Sequence, residues 1–108
     1  PNDALLVIHD DIDLPFSKLR VGHDSGPGGN NGVKSIIRSL GAADFWRLKI
    51  GVGRPPGRMD PAAFVLKRFA AKERPEIDVS VQLAADVAES FAVLGGEDAR
   101  QRAGESNV

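Results

Sequence analysis

The feature that most constrains the fold is a short run of large apolar residues near the start of the chain, Leu5-Leu6-Val7-Ile8. Such a run is typical of a strand buried on both faces, in the middle of a parallel or mixed sheet. We predict this strand at residues 5–12. Because an interior strand needs neighbours, and these could precede Pro1, the sequence favours an N-terminally truncated fragment.

Strand and helix patterns alternate along the rest of the chain. Alternating apolar and polar residues predict strands at residues 18–23 and 45–53. An apolar stripe predicts a helix at residues 33–40, which Asn30 or Asn31 can cap and Gly41 can end. A short apolar element is expected at residues 62–66 and a long helix at residues 75–94, followed by a polar tail, about residues 97–108, that frays. This order indicates one α/β domain spanning residues 1–108.

Composition limits the classes of function. With 42% hydrophobic and 27% charged residues, 108 residues can build one core. Cysteine is absent and there are two histidines, so thiolate metal sites are excluded and we predict neither metal nor cofactor. No apolar stretch is long enough to cross a bilayer and no secretion signal opens the chain, so we predict a cytoplasmic protein without membrane contact.

Charge is distributed unevenly along the chain, although the net charge is only −1. Residues 17–74 contain 12 basic and 4 acidic residues, whereas the segments on either side are acidic. A basic middle of this kind suggests a polyanionic partner. Ordinary surface charge that happens to cluster explains the pattern equally well.

Asp10 lies where the first predicted strand ends, and ligand sites in α/β sheets gather beyond the carboxyl ends of strands. Neighbouring residues of a strand point to opposite faces, so His9 and Asp10 are not expected to form a dyad. A histidine that works with Asp10 must therefore come from elsewhere. The alternative is that Asp10, Asp11 and Asp13 only solvate the end of a strand.

A glycine-rich loop at residues 26–32 precedes the first predicted helix. Free backbone N–H groups at a helix start can hold an anion, although this loop matches neither the P-loop nor the dinucleotide fingerprint. A tight turn that needs glycine is the alternative. The side chain of Asn31 can cap the helix or face a ligand, and capping is favoured.

One face of the strand at residues 45–53 is basic and small, carrying Arg47 and Lys49 beside Gly51 and Gly53. A phosphate backbone could approach such a flat surface, and a solvated outer face is the alternative. Trp46 lies on the opposite face and is expected in the core. Because the chain has no cysteine and no Gly-x-Ser-x-Gly string, hydrolysis would use activated water.

Three strings in this order resemble the bacterial peptidyl-tRNA hydrolase family. They are His9-Asp10-Asp11-Ile12-Asp13-Leu14-Pro15, Gly28-Gly29-Asn30-Asn31-Gly32-Val33-Lys34-Ser35 and Phe45-Trp46-Arg47-Leu48-Lys49-Ile50-Gly51-Val52-Gly53-Arg54-Pro55. The resemblance implies a mixed, largely parallel sheet flanked by helices. It also implies hydrolysis, in the cytoplasm, of the ester that joins peptide to tRNA, by a monomeric enzyme in which a histidine activates water.

The resemblance assigns roles to particular residues. Asp10 matches the aspartate that orients the catalytic histidine. Substrate binding falls to Gly29, Asn30 and Asn31. Contacts to tRNA phosphates fall to the basic residues Arg20, Lys34, Arg47 and Lys49.

The chain also departs from the family pattern. The catalytic histidine of the family belongs to an N-terminal segment with a Gly-Asn-Pro-Gly loop, and neither His9 nor His23 occupies its position. Asn30 stands where many members have histidine, and Pro27 interrupts the glycine loop. We therefore expect the isolated fragment to be inactive, and to self-associate or to need its missing segment. A non-catalytic RNA-binding module of the same fold is the alternative function.

Overall fold

The computed structural model describes residues 2–23, 26 and 30–107. A short 3-10 helix, Asn2–Ala4, is followed by β1 (Leu6–Asp11), β2 (Leu19–His23), α1 (Asn31–Leu40), β3 (Trp46–Gly51), α2 (Pro61–Val65), α3 (Arg74–Leu94) and α4 (Gly96–Ser106). The elements confirm the predicted α/β class. No helix within the described ranges combines the length and the apolar character needed to span a membrane.

The three strands form one mixed sheet in the order β1-β3-β2. β1 runs parallel to β3, and β2 runs antiparallel to it. Ile50 of β3 lies opposite Asp10 on one side and Leu19 on the other, which places Asp10 at the end of the sheet where β1 and β3 both finish. The mixed sheet agrees with the fold that the resemblance implies.

The core fills one face of this sheet. The strands contribute Leu19, Val21 and Leu48, which are at most 4% exposed. They pack against small and medium side chains of α3 and α4, namely Ala84, Val87, Ala99 and Ala103. Trp46 packs against the same cluster, as the alternation of β3 predicts. The opposite sheet face carries His9 and Asp11 of β1 and Arg47 and Lys49 of β3.

The prediction that β1 is an interior strand, with neighbours that could precede Pro1, is not tested by the residues that the structure describes. β1 lies at the edge of the three-stranded sheet, and Ile8 is 51% exposed. A run of apolar residues shows that a segment favours burial, but it does not supply the neighbouring strand that would bury it. The edge therefore presents apolar surface beside an unpaired row of backbone groups.

The prediction of a frayed tail is wrong for the described residues, because residues 96–106 form α4. Ala99 and Ala103 are fully buried, and they lie four residues apart on one side of that helix. The side chain of Asn107 accepts from the Leu19 N–H at 2.8 Å and donates to the Leu19 carbonyl at 2.6 Å. A tail that is polar on average can thus still dock through two alanines and one amide.

The turn after β1 crosses the end of β3 at Gly51. The Gly51 carbonyl accepts from the N–H of Ser17 at 2.8 Å, and its N–H donates to the carbonyl of Lys18 at 2.7 Å. A Cβ at Gly51 would overlap the carbonyl of Pro15. The expectation of a flat, open surface at Gly51 is therefore wrong, since the glycine is needed there for close packing of two backbone segments.

Candidate active site at the carboxyl end of β1

Asp10 and Asn30 meet where β1 ends and α1 begins. The Asn30 side-chain nitrogen donates to the Asp10 backbone carbonyl at 3.2 Å and to its carboxylate at 3.3 Å. The Asn30 side-chain oxygen accepts from the Val33 N–H at 3.0 Å, which caps α1. One amide thus starts the helix and also attaches that start to the strand that carries Asp10.

This arrangement corrects one prediction about the asparagines. Asn30 is the capping residue, whereas Asn31 is the first residue of α1 and its side chain is exposed. The reason is that the helix begins at Asn31, one residue earlier than capping by Asn31 would require. Gly29, the third predicted substrate-binding residue, lies outside the described residues.

Both ring nitrogens of His9 are engaged on the other face of β1. Nδ1 lies 2.7 Å from the carbonyl oxygen of Asp10, and Nε2 accepts from Nε of Arg47 at 3.0 Å. The pKa of His9 is lowered, first by burial and also by Arg47 and Lys49, against the opposing effects of the Asp10 carbonyl and Asp11. His9 is therefore a neutral ring whose two nitrogens are already used.

His23, the other histidine, lies at the far end of the sheet. It pairs with Trp46 in the β2–β3 register, and the two rings are 4.6 Å apart. Its Nε2 is 3.5 Å from the Asp3 carboxylate. Trp46 and Ile50 are four residues apart along β3, so His23 lies on the order of 13 Å along the strand from the level of Asp10. Among the described residues, which include both histidines, neither ring bonds the Asp10 carboxylate.

Two of the predicted tRNA-contacting residues form a like-charged pair. Arg20 of β2 lies directly opposite Lys49 of β3, on the face away from the core helices. The pKa of Lys49 is lowered, first by burial and then by the neighbouring cations Arg47 and Arg20, although Asp11 opposes this. Like charges in directly opposed positions destabilise a sheet, and Asp11 offsets part of this repulsion.

The other two predicted contacts differ from each other. Lys34 lies exposed on α1. Arg47 is 2% exposed, and besides its bond to His9 it donates to the carbonyl of Gly26. Its guanidinium is thus directed at the protein, which favours a structural role over a direct phosphate contact.

An apolar cavity opens beside Asp10. It has a volume of about 350 Å³, and its lining includes Phe16, Val52, Phe64 and Phe69 together with Asp10. The segment after α2 covers one side, where Phe69 contacts the edge of Phe16 with ring centroids 6.0 Å apart. The carboxylate therefore borders a space that can hold an apolar group.

The fold and the site together define an α/β protein with a carboxylate–amide site at the end of a strand and a basic face beside it. Such a site can orient a base and hold a carbonyl group, and the basic face can approach phosphates. Within the described residues, no group of three histidine or acidic side chains is arranged to hold a metal ion.

The family model described as "Peptidyl-tRNA hydrolase" matches residues 1–107, so the chain belongs to the peptidyl-tRNA hydrolase family. The peptidyl-tRNA hydrolase of Mycobacterium marinum is 47% identical over 102 residues, which cover 94% of this chain and 53% of that protein. The Mycobacterium tuberculosis relative is 48% identical over 98 residues, covering 91% of this chain and 51% of the relative. The chain thus spans about half the length of these curated relatives.

Solved structures show the same fold. The peptidyl-tRNA hydrolase of Acinetobacter baumannii superposes with a TM-score of 0.79 at 24% identity, over 91% of this chain and 50% of that one. A peptidyl-tRNA hydrolase in complex with N-propanol gives a TM-score of 0.77 at 25% identity, with the same coverage.

Proposed function

We propose that the complete natural protein hydrolyses the ester bond between peptide and tRNA, releasing both. The observation that carries this proposal is the junction of Asp10 and Asn30 at the carboxyl end of β1, in a chain of the peptidyl-tRNA hydrolase family. Water attacks the ester carbonyl after a general base removes its proton, and no covalent enzyme intermediate is needed.

Asp10 acts in this proposal by orienting the base. Its carboxylate accepts the N–H of a histidine ring, fixes the tautomer and stabilises the cation that forms when the ring takes a proton. His9 cannot be that base, because its two nitrogens bond the Asp10 carbonyl and Arg47. His23 is on the order of 13 Å away along the strand. The base therefore comes from outside residues 1–108, and these residues alone are inactive.

The substrate's peptide end lies over the start of α1. Asn31 is exposed there and can donate to the peptide or to the attacking water. Asn30 and Gly29 remain the other proposed substrate contacts. The apolar cavity beside Asp10 leaves room for a side chain of the peptide. No metal or cofactor takes part in this scheme.

The tRNA lies over the basic sheet face. Arg20, Lys49 and Lys34 contact its phosphates, and the repulsion between Arg20 and Lys49 is relieved when an anion binds. Arg47 is buried beneath this face, where it bonds His9 and the carbonyl of Gly26 and makes no direct contact with phosphate.

Replacing Arg20 and Lys49 together with glutamine is expected to weaken tRNA binding. Losing two phosphate contacts lowers the slope of log affinity against log salt by roughly 1 to 2. Fluorescence anisotropy with labelled tRNA at several salt concentrations measures that slope. Arg102→Gln is the control, because Arg102 lies on α4, on the other side of the sheet, beside Asp86. An unchanged slope in the double variant would place the tRNA elsewhere.

Hydrolysis itself is tested with an N-acetylated aminoacyl-tRNA as substrate. We expect the complete natural protein to release free tRNA and the N-acetylated amino acid. A protein that binds this tRNA but leaves the ester intact would instead be a non-catalytic RNA-binding module of the same fold.

We further propose that the complete protein is a cytoplasmic monomer, whereas residues 1–108 alone self-associate. The edge of β1 and the exposed side chain of Ile8 offer a surface to a second copy. Analytical ultracentrifugation of residues 1–108 is expected to show species larger than the monomer. A compact monomer that unfolds cooperatively would contradict this expectation.

A further inference from the structure

A buried cation links three separate parts of the chain. Arg47 belongs to β3, and its guanidinium donates through Nε to His9 of β1 and through Nη1 to the carbonyl of Gly26, in the loop before α1. The whole residue is 2% exposed. An arginine suits this position because its planar group directs several N–H donors at fixed angles.

The hydrogen bonds around His9 fix its tautomer. Nε2 accepts the Arg47 N–H at 3.0 Å, which assigns the ring proton to Nδ1. The Asn30 amide nitrogen, 3.4 Å from Nδ1, is then a neighbour of Nδ1 and not its hydrogen-bond donor. Nδ1–H then donates to the Asp10 carbonyl at 2.7 Å. The same carbonyl accepts the Asn30 amide at 3.2 Å. A continuous path therefore runs from Gly26 through Arg47 and His9 to the residues that form the candidate active site.

We propose that His9 and Arg47 are a positioning pair, which holds the start of α1, with Asn30 and Asn31, in register with Asp10. Neither side chain touches the substrate. Arg47 donates a hydrogen bond to the carbonyl of Gly26, which precedes α1. His9 bonds the carbonyl of Asp10, the same group to which the Asn30 side chain donates. The pair therefore links Gly26 to the end of β1. The kinetic consequences rest on the proposed hydrolysis, whereas the tautomer does not.

The pair has a defined response to acid. A proton added to His9 would go to Nε2 and face the Arg47 N–H, so the bond between them would be lost. The charged groups that face His9 are Arg47 and Lys49 from β3 and Asp11 from β1; Arg20 of β2 lies across from Lys49. Burial is the largest effect, and it keeps the pKa of His9 below its usual value of 6.5.

The direction of the stability change follows from that lowered pKa. Below pH 6.5 the unfolded chain takes up a proton at His9 more readily than the folded chain does. The contribution of His9 to stability is therefore fully present above pH 6.5 and is lost as pH falls below it. In the His9→Gln variant, the loss of stability that protonation of His9 causes below pH 6.5 should be absent.

Two substitutions at His9 separate positioning from simple filling of space. In His9→Gln the amide can still accept from Arg47 and donate to the Asp10 carbonyl, whereas His9→Leu fills the space without either bond. In the complete natural protein we expect kcat to fall about 10- to 100-fold for His9→Leu, with KM changed less than about twofold, and to stay near wild type for His9→Gln. A purely structural role would not give this split between kcat and KM.

The tautomer is measured directly by long-range ¹H–¹⁵N correlation spectra of the His9 ring in the complete natural protein. The expected result is a neutral ring with its proton on Nδ1 at pH 7, and a ring pKa below 6.5. A proton on Nε2, or equal kcat values for His9→Leu and His9→Gln, would overturn the proposal. If the protein proves unable to hydrolyse peptidyl-tRNA, the spectrum still decides whether the pair exists, so the two failures are distinguishable.

Discussion

Replacing Asp10 with asparagine is expected to lower kcat for peptidyl-tRNA hydrolysis by the complete natural protein roughly 10³-fold. The asparagine fits the same space and keeps an acceptor oxygen, but it loses the negative charge that stabilises the protonated base. Its NH₂ group can also face the base histidine and favour the wrong tautomer. KM should change little, because the carboxylate acts mainly on the transition state. Single-turnover release of tRNA from an N-acetylated aminoacyl-tRNA measures the loss.

Asp13→Asn is the matched control for this substitution. Asp13 lies in the turn just after β1, is exposed, and pairs with Arg54 at the surface. Exposed ion pairs contribute little, so kcat should stay within about twofold of wild type. Equal effects of the two substitutions would show that Asp10 only solvates the strand end.

Replacing Gly51 with alanine is expected to lower the free energy of unfolding by about 3 kcal/mol or more. The new Cβ would occupy the position of the Pro15 carbonyl oxygen, and two backbone segments joined by hydrogen bonds would have to separate. Backbone cannot move aside as a flexible side chain can. Chemical denaturation followed by circular dichroism measures the change.

Gly104→Ala is the matched control for stability. Gly104 lies in α4, and a Cβ there meets no heavy atom within 4 Å. Alanine favours the helix, so a gain of about 0.5–1 kcal/mol is expected. A Gly51→Ala protein as stable as wild type would mean that the turn after β1 does not pack on β3 as described.

Much of the fold could be predicted because local patterns determine it. The stripe of α1 and the alternation of β3 are visible in the sequence, and Gly41 ends α1 with a φ of 74°, in the left-handed region that favours glycine. The apolar run of β1 predicted a strand between two neighbours, and β1 lies at the edge of the three described strands because a second neighbour is not among them. The packing of the C-terminal tail as α4 was not predicted, because the segment is mostly polar and its two buried residues, Ala99 and Ala103, are small.

The site could be predicted only in part. Asp10 was placed correctly at a strand end, because strand ends can be read from the sequence. The double role of Asn30 depends on how α1 sits against β1, which local patterns do not reveal. The pairing of His9 with Arg47 joins residues 38 positions apart through the β1–β3 register, so only the fold reveals it.

The most direct test compares the hydrolysis of an N-acetylated aminoacyl-tRNA by the complete natural protein and by residues 1–108 alone, at equal concentration. We predict hydrolysis by the complete protein and none by residues 1–108, because Asp10 orients a base that these residues do not supply. Hydrolysis by residues 1–108 would contradict this account and would place the base among them. Binding of tRNA without hydrolysis by the complete protein would contradict the proposed activity itself.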